Sequence, residues 1–450
     1  MTSKQQLNPL AREFRLPALL RFALPTTAMT VFNALYSVVD GAFVSTFVST
    51  DALASVNIIL PVYSVLWGLG AMLATGGSAL IARKMGEGKA EESRRNFSCI
   101  AIAACVLGLL VGSIVICFMD SIVMALGADE TILPYAREYL GIIIVFAPAV
   151  LLQIVFQNLF VAAGKPHLGL AATVCAGLIN VLLDFVFIVV FGWGIAGAAL
   201  ATGIGYCIPT AAGLIFFSLR RGALFYAKPF ITIKEMAFCC YNGASEMIQE
   251  MSIGVSTFLF NITMMGFAGA DGVAAITILL YLQSLFLNLS IGFAMGVSPI
   301  ASYRFGARDT NGLRQLVKRC LLCIGSISVI AYITSAASAA AIIQIFAPVD
   351  SEVYTIALGG FRIYVVSLLF AGVNVYISAL FTALSNGKIS ALLSLLRTLI
   401  LISGFLLVLP NYLGLFGVWL ALPLAELVAF AISWIMHGVH RKKYFEASAV

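Results

Sequence analysis

The chain has 450 residues, of which 61% are hydrophobic and only 10% are charged. Soluble domains carry about 25% charged residues, so this composition excludes a soluble enzyme, a secreted disulfide scaffold and a disordered chain. The net charge is +6. Because the basic residues fall in short loops and form no single stripe, they indicate membrane orientation and no nucleic-acid partner.

Twelve apolar segments follow one another along the chain. One spanning helix takes about 20 apolar residues plus a loop, so the length accommodates 12 spans. The spans are predicted at residues 16–46, 52–82, 96–119, 132–163, 168–191, 195–219, 236–265, 271–302, 315–345, 354–384, 389–409 and 414–436. Prolines inside the spans are expected to bend the helices. They are Pro25, Pro61, Pro148, Pro209, Pro299 and Pro423.

Lysine and arginine are concentrated on one side of the predicted membrane. Of the 26 basic residues, all except Arg137, Arg362 and Arg397 lie near the termini or in the even-numbered connections. By the positive-inside rule, the tails at 1–15 and 437–450 are predicted to be cytoplasmic.

The chain repeats itself with a shift of about 220 residues. The segment 81–86 aligns with 301–306, and 194–197 aligns with 414–417. An even number of spans in each half gives both halves the same orientation, as in transporters built from parallel repeats. The predicted fold class is therefore an all-α membrane protein of 12 transmembrane helices in two parallel-repeat six-helix bundles with a central cleft. The bundles are predicted at 16–219 and 236–436, joined by a cytoplasmic linker at 220–235.

Two aspartates lie inside predicted spans of the first bundle. From the helix rise of about 1.5 Å per residue, Asp40 and Asp184 both fall in the outer half of the membrane. Polar side chains on the same helix faces or at similar depth can hydrogen-bond a carboxyl group in either protonation state. They are Asn33, Tyr36, Asn180 and Thr202.

Buried acids of this kind favour an ion-coupling role. Burial and a second nearby carboxylate both favour the protonated form of a carboxyl group, which suits a proton carrier near neutral pH. The alternative is that each aspartate only bonds a polar neighbour and holds helices together. The sequence offers these two aspartates no intramembrane base as a structural partner, which favours the functional interpretation.

The second bundle contains further buried acids. Glu246 and Glu250 are one turn apart in the seventh span with Gln249 close by, and they form a second candidate coupling or cation site. Polar packing is the alternative for this group. Arg397 and Glu426 lie at matching depths in consecutive spans, so we predict a structural ion pair between them.

No motif for enzyme or metal chemistry is recognisable. Cys320 and Cys323 form a CxxC on a predicted membrane helix, without a second pair or a nearby histidine, so no metal or redox site is expected. A phosphate-binding loop and a nucleophile elbow are both lacking from the sequence. We therefore expect no enzyme activity and no cofactor beyond a coupling ion.

Three short motifs, taken in order, resemble the multidrug and toxic compound extrusion (MATE) family. They are Asn33-Ala-Leu-Tyr-Ser-Val-Val-Asp40, Asn180-Val-Leu-Leu-Asp184 and Gly194-Ile-Ala-Gly-Ala-Ala-Leu-Ala-Thr202. The stretch Ser245-Glu246-Met247 is similar to the bacterial MepA-like and DinF-like branch. The resemblance covers essentially the whole chain.

This resemblance implies an antiporter that exports organic, mostly cationic and amphipathic compounds against inward proton or sodium flow. Its first-half cavity residues would be Tyr36, Asp40, Asn180, Asp184 and Thr202. It also implies a bacterial inner (plasma) membrane location and contact with membrane lipids. We expect a monomer, because each chain already contains both halves. The alternative is a flippase for lipid-linked oligosaccharides of the same superfamily, which would use a wider, more basic cavity.

Overall fold

The computed structural model describes residues 8–128, 131–220 and 222–445. Helices account for nearly all of this described part, and no β-strand occurs within it. The all-helical fold predicted from composition is therefore confirmed. The outermost parts of both predicted tails, residues 1–7 and 446–450, and Arg221 of the predicted linker lie outside the described residues.

The long helices follow the predicted spans closely. They are α1 (Leu16–Phe47), α2 (Leu60–Gly86), α3 (Ala90–Cys117), α4 (Leu133–Ala162), α5 (Pro166–Val190), α6 (Gly194–Ser218), α9 (Thr310–Ala337), α10 (Glu352–Ala383), α11 (Gly387–Leu413) and α12 (Leu415–Phe445). The segment Ile233–Gly306 breaks at Ala268 and Gly269, where Gly269 has φ 58°, and this break separates α7 (233–267) from α8 (270–306). Eleven described helical segments are long and apolar enough to cross a membrane, and Ile233–Gly306 is long enough for two crossings.

Four shorter helices lie outside the long ones: Pro9–Ala11, Thr50–Ile58, Met119–Ala125 and Ala339–Gln344. Thr50–Ile58 shows that the predicted span 52–82 is two helices, separated at Ile59. Pro61 accordingly lies in the first turn of α2, where proline is tolerated without a bend. At the other end of the chain, α12 continues to Phe445 and includes part of the predicted tail.

Polar caps define where several helices begin. The Thr232 side chain accepts a hydrogen bond from the Glu235 backbone, and Glu235 bonds back to the Thr232 N–H, so α7 starts with a complete capping box. The Asp309 and Ser351 side chains cap α9 and α10 by each accepting a hydrogen bond from a backbone N–H of the first turn. Pro25, Pro209, Pro299 and Pro423 lie inside helices, as predicted.

The two halves share one hydrophobic core at only one end of the molecule. This end, where α2 and α8 finish, carries Arg83, Lys84 and Arg304 and is called the basic end below. Its core joins residues of the first half, such as Ile81, to residues of the second half, such as Ile300. At the opposite end the second half forms a separate core. The hydrophobic core is therefore continuous between the halves at the basic end and divided at the opposite end.

Candidate functional site

Four of the predicted first-half residues meet between α1, α5 and α6. The Thr202 hydroxyl donates to Asp40 Oδ1 at 3.4 Å, and it accepts from Asn180 Nδ2 at 3.4 Å. Asp184 interacts electrostatically with Asp40 across the same space. Residues that were assigned similar membrane depths from the sequence therefore lie together in the structure, although they are far apart along the chain.

Asp184 has an unusual environment for a carboxyl group. Its side chain is 0% exposed, and neither carboxylate oxygen has a hydrogen-bond partner among the described residues. An ionised carboxylate without a partner is expensive to bury. A proton, a cation or water molecules are therefore needed to satisfy it.

Tyrosine side chains surround the Asp40 carboxylate. Tyr36, Tyr63, Tyr139 and Tyr206 are all electrostatic neighbours of Asp40. The Tyr63 and Tyr139 hydroxyls are 3.4 Å apart. Phenol hydroxyls both donate and accept hydrogen bonds, so these tyrosines suit a carboxyl group that changes its protonation state.

A small cavity adjoins this group. Its volume is about 50 Å³, which is room for a few water molecules and not for an organic substrate. Gln157 Nε2 donates to Thr173 Oγ1 at 3.0 Å in its wall. The polar lining comprises Asn33, Tyr36, Ser37, Trp67, Gln153, Gln157, Thr173 and Tyr206. Asn33 therefore lies next to the aspartate group, at a cavity wall.

The second half holds a buried, hydrogen-bonded ion pair. Arg397 Nε lies 2.9 Å from Glu426 Oε1 and 3.2 Å from Oε2, and the two side chains are 7% and 1% exposed. Asn374 Nδ2 donates to Glu426 Oε2 at 2.7 Å, while Arg397 reaches Gln249 Oε1 at 3.5 Å. The structure thus contains the contact predicted from depth and adds Asn374 to it.

Glu246 and Glu250 lie where α7 crosses α2. A Cβ added to Gly68 of α2 would be 3.6 Å from Glu250 Cβ and 3.3 Å from Met247 Cγ. Glu246 is an electrostatic neighbour of both Glu250 and Arg397. These acids therefore belong to the contact between the halves, whereas Asp40 and Asp184 lie within the first half.

The α-helical hydrogen bonding changes at both acidic groups. A π-helical segment, Phe185–Val190, begins directly after Asp184, and another, Leu396–Leu401, contains Arg397. Short π segments inside helices often occur at functional sites, because they rotate the side chains that follow. Each half thus has such a segment in its fifth helix.

The sequence interpretation missed Tyr63, Tyr139 and Tyr206. Tyrosine in an apolar span resembles an ordinary interface anchor, so no residue-level signal singled them out. The internal repeat could have found two of them. Tyr63 corresponds to Gln283 after 220 residues and Tyr139 to Tyr364 after 225, and the Tyr364 hydroxyl donates to Gln283 Oε1.

The fold and these buried polar groups define a membrane protein with the architecture of a transporter. The chain matches the family model described as MatE over residues 25–186 and 247–405, which is more than half of its length. The protein therefore belongs to the MatE family, which confirms the resemblance drawn from the three motifs.

Two staphylococcal proteins are among its relatives. The chain is 24% identical over 430 residues to the multidrug export protein MepA of Staphylococcus haemolyticus (strain JCSC1435), and the match covers 94% of each chain. It is 25% identical over 328 residues to MepA of Staphylococcus aureus (strain N315), covering 70% of each. The relatives are export proteins and not enzymes, which confirms the prediction of a non-enzymatic protein.

Solved structures show the same fold. An outward-facing multidrug resistance MATE family transporter of the MOP superfamily superposes with a TM-score of 0.90 at 22% identity, covering 99% of each chain. A MOP superfamily transporter from Pyrococcus furiosus superposes with a TM-score of 0.89 at 22% identity, covering 100% of each. The all-α membrane fold class predicted from the sequence is thereby confirmed.

Proposed function

We propose that this protein is a secondary active antiporter that exports organic, mostly cationic and amphipathic compounds in exchange for protons or sodium ions. The observation that carries the proposal is Asp184, a buried carboxyl group without a hydrogen-bond partner among the described residues, next to Asp40. Such a pair needs exchangeable positive charge, and both a coupling ion and a cationic substrate supply it.

In the proposed mechanism, the coupling ion and the cationic substrate compete for the carboxylates of Asp40 and Asp184 during alternating access. When the cleft is open to the outside, Asp40 and Asp184 take up a coupling ion and their attraction for the bound cationic substrate falls. When the cleft is open to the cytoplasm, the ion leaves and the carboxylates attract the next substrate. Ion and substrate must also favour different conformations, because a ligand that binds both equally shifts nothing.

The remaining predicted residues have secondary roles in this proposal. Tyr36, Asn33, Asn180 and Thr202 orient the two aspartates and the water around them. Glu246, Glu250 and Gln249 are second-half candidates for cation binding at the contact with α2. The Arg397–Glu426 pair is structural, because its charges already satisfy each other.

The proposed topology follows from the positive-inside rule. The basic end faces the cytoplasm of a bacterial cell, both termini are cytoplasmic, and the protein is a monomer surrounded by lipid. The units that move are residues 16–219 and 236–436, joined by the segment 220–235.

Ethidium efflux from cells tests the proposal at matched membrane levels of each variant. Asp40→Asn and Asp184→Asn should each abolish efflux that depends on external pH or sodium. Asp120→Asn is the matched control, because Asp120 forms an exposed surface pair with Arg137 at 3.3 Å and should leave efflux unchanged.

Normal efflux by both site variants would contradict the role of the aspartates and direct attention to Glu246 and Glu250. No efflux by the unmutated protein, with correct insertion, would contradict the ethidium-type substrate class and favour the flippase alternative.

A further inference from the structure

Contacts between the halves at the basic end occur twice, related by the internal repeat. A Cβ added to Gly86 of α2 would overlap the carbonyl oxygen of Tyr303 in α8. A Cβ added to Gly306 of α8 would overlap the carbonyl oxygen of Arg83 in α2. Gly86 and Gly306 are 220 residues apart, as are Arg83 and Tyr303. These are therefore the same contact made once from each side of a pseudo-two-fold axis.

The first of two cationic clamps holds the start of α7. Lys84, at the end of α2, has a side chain that is 9% exposed. Its ammonium group contacts Glu235 in the first turn of α7 and lies 3.0 Å from Glu92 Oε2 in α3. Because α2 belongs to the first half and α7 opens the second, Lys84 ties the halves together.

The linker before α7 (residues 222–232) is held by the first half as well. Arg94 of α3 donates from Nε to the Ala223 carbonyl at 3.0 Å, and its guanidinium lies 4.1 Å from the centre of the Phe225 ring. The Ser98 hydroxyl accepts from the Ala227 N–H at 3.0 Å. Burial raises the pKa of Tyr226 to about 12, consistent with a linker that is packed onto the protein.

The second clamp holds the N-terminal segment (residues 8–15) before α1. Arg304, 220 residues after Lys84, donates from Nη2 to the Arg12 carbonyl at 3.0 Å and pairs with Asp309 at 2.7 Å. Arg319 of α9 donates to the Phe14 carbonyl at 2.5 Å. Both arginines belong to the second half, whereas the segment leads into the first half.

We propose that these two crossed clamps are the gate of the basic end, and that they must release together before the cleft can open there. Each half holds the segment through which the chain enters the other half, so separating the halves breaks Lys84–Glu235 and Arg304–Arg12 in the same movement. The inference rests on the alternating access proposed above. It adds the residues that hold the closed basic end.

The arrangement also locates the hinge. The linker is bonded to α3 as far as Ala227, so it moves with the first half although it connects the two. The change in backbone direction therefore occurs at the capping box of α7, next to the Lys84 contact. The alternative is that each cation only anchors its own loop, in which case the two clamps are independent.

Hydrogen–deuterium exchange of the full chain in lipid nanodiscs separates these two possibilities. Lys84→Gln removes one clamp. The gate predicts faster exchange at the linker and α7 start and also in the N-terminal segment, the site of the untouched clamp. Losing one charge-assisted contact makes local opening more frequent, and we expect the exchange rate to rise about 5- to 30-fold. Arg304→Gln should produce the same pattern in reverse.

Controls keep the test independent of folding and of transport. Arg95→Gln is matched, because Arg95 pairs with Glu91 at 3.2 Å inside α3 and does not cross between the halves. Glu92→Gln is a second control, because it removes the Lys84 contact that stays inside the first half and should leave exchange in the N-terminal segment slow.

Faster exchange confined to the mutated side would overturn the gate and leave two local anchors. Because the measurement uses no substrate and no ion gradient, its failure is distinct from a failure of ethidium efflux.

Discussion

Two buried acids of this protein have nearly the same burial and opposite surroundings. Glu426 is 1% exposed and receives hydrogen bonds from Arg397 and Asn374, whereas Asp184 is 0% exposed and receives none among the described residues. A charge that is already neutralised has little to gain from an incoming ion. A buried carboxylate without a partner gains much free energy when it binds an ion. At the scale of residues, Asp184 is therefore the candidate for ion coupling and Glu426 the candidate for a structural role.

The ion pair gives the first residue-scale prediction. Arg397→Met leaves the Glu426 charge buried without its cation and should destabilise the protein by about 3–5 kcal/mol. The double variant Arg397→Met/Glu426→Leu should regain most of this loss, because an apolar pair of similar volume needs no compensation. Thermal unfolding in detergent measures both.

The exposed Asp120–Arg137 pair is the control, and its loss should cost less than about 1 kcal/mol. If Arg397→Met were as stable as the unmutated protein but did not transport, the pair would belong to transport and the structural interpretation would be wrong.

How far the site was predictable depends on the kind of residue. A carboxylate in an apolar span is conspicuous, and helix rise alone brought Asp40 and Asp184 to similar depths. Asn180 and Thr202 followed because they lie on the same helix face or at the same depth. Tyr139 and Tyr206 did not, because only the packing of α4 and α6 around Asp40 distinguishes them from other aromatic residues.

At the scale of elements, glycine decides how closely the halves approach. A Cβ added to Gly76 of α2 would overlap the carbonyl of Cys239 in α7, and one added to Gly243 of α7 would overlap the carbonyl of Met72 in α2. Backbone–backbone contact of this kind is how membrane helices gain packing energy without a hydrophobic driving force. The α2–α7 crossing thus holds the backbones of the two halves in direct contact, on the same helix as Glu246 and Glu250.

Two glycines of α7 provide a matched test of this crossing. Gly243→Ala should cost about 1–3 kcal/mol through overpacking and should loosen the contact between the halves. Gly254→Ala should be neutral or slightly stabilising, because nothing lies within 4 Å of the added Cβ. Limited proteolysis and thermal unfolding distinguish the variants. Equal stability of the two would show that the crossing has room to adjust and does not hold the halves together.

Element positions were more predictable than element ends. Hydropathy marks the part of a helix that crosses hydrocarbon, so the twelve spans are recognisable. It does not mark where helical hydrogen bonding stops. Helix α12 therefore continues nine residues beyond the predicted span end at 436, to Phe445. There Tyr444 packs against Phe305 and its hydroxyl accepts from Asn386 at 3.0 Å, contacts that only the folded chain brings together.

At the scale of the whole molecule, the two halves keep corresponding helix contacts but differ in their buried charged residues. The Tyr63–Tyr139 contact of the first half corresponds to Gln283–Tyr364 in the second. The buried charges differ: the first half has the neighbouring pair Asp40 and Asp184, whereas the second has Glu426 paired with Arg397 and, on α7, Glu246 and Glu250. Halves that share a scaffold suit a rocking motion, whereas their different buried charges allow each half its own role in ion binding.

The measurement that tests this account most directly is proton release on substrate binding. A lipophilic cation such as tetraphenylphosphonium is added to the purified protein in weakly buffered detergent solution, and the pH change is recorded with binding. The account predicts that the unmutated protein and Glu246→Gln release protons, and that Asp40→Asn/Asp184→Asn releases none. Binding with undiminished proton release by that double variant would contradict competition for the aspartates.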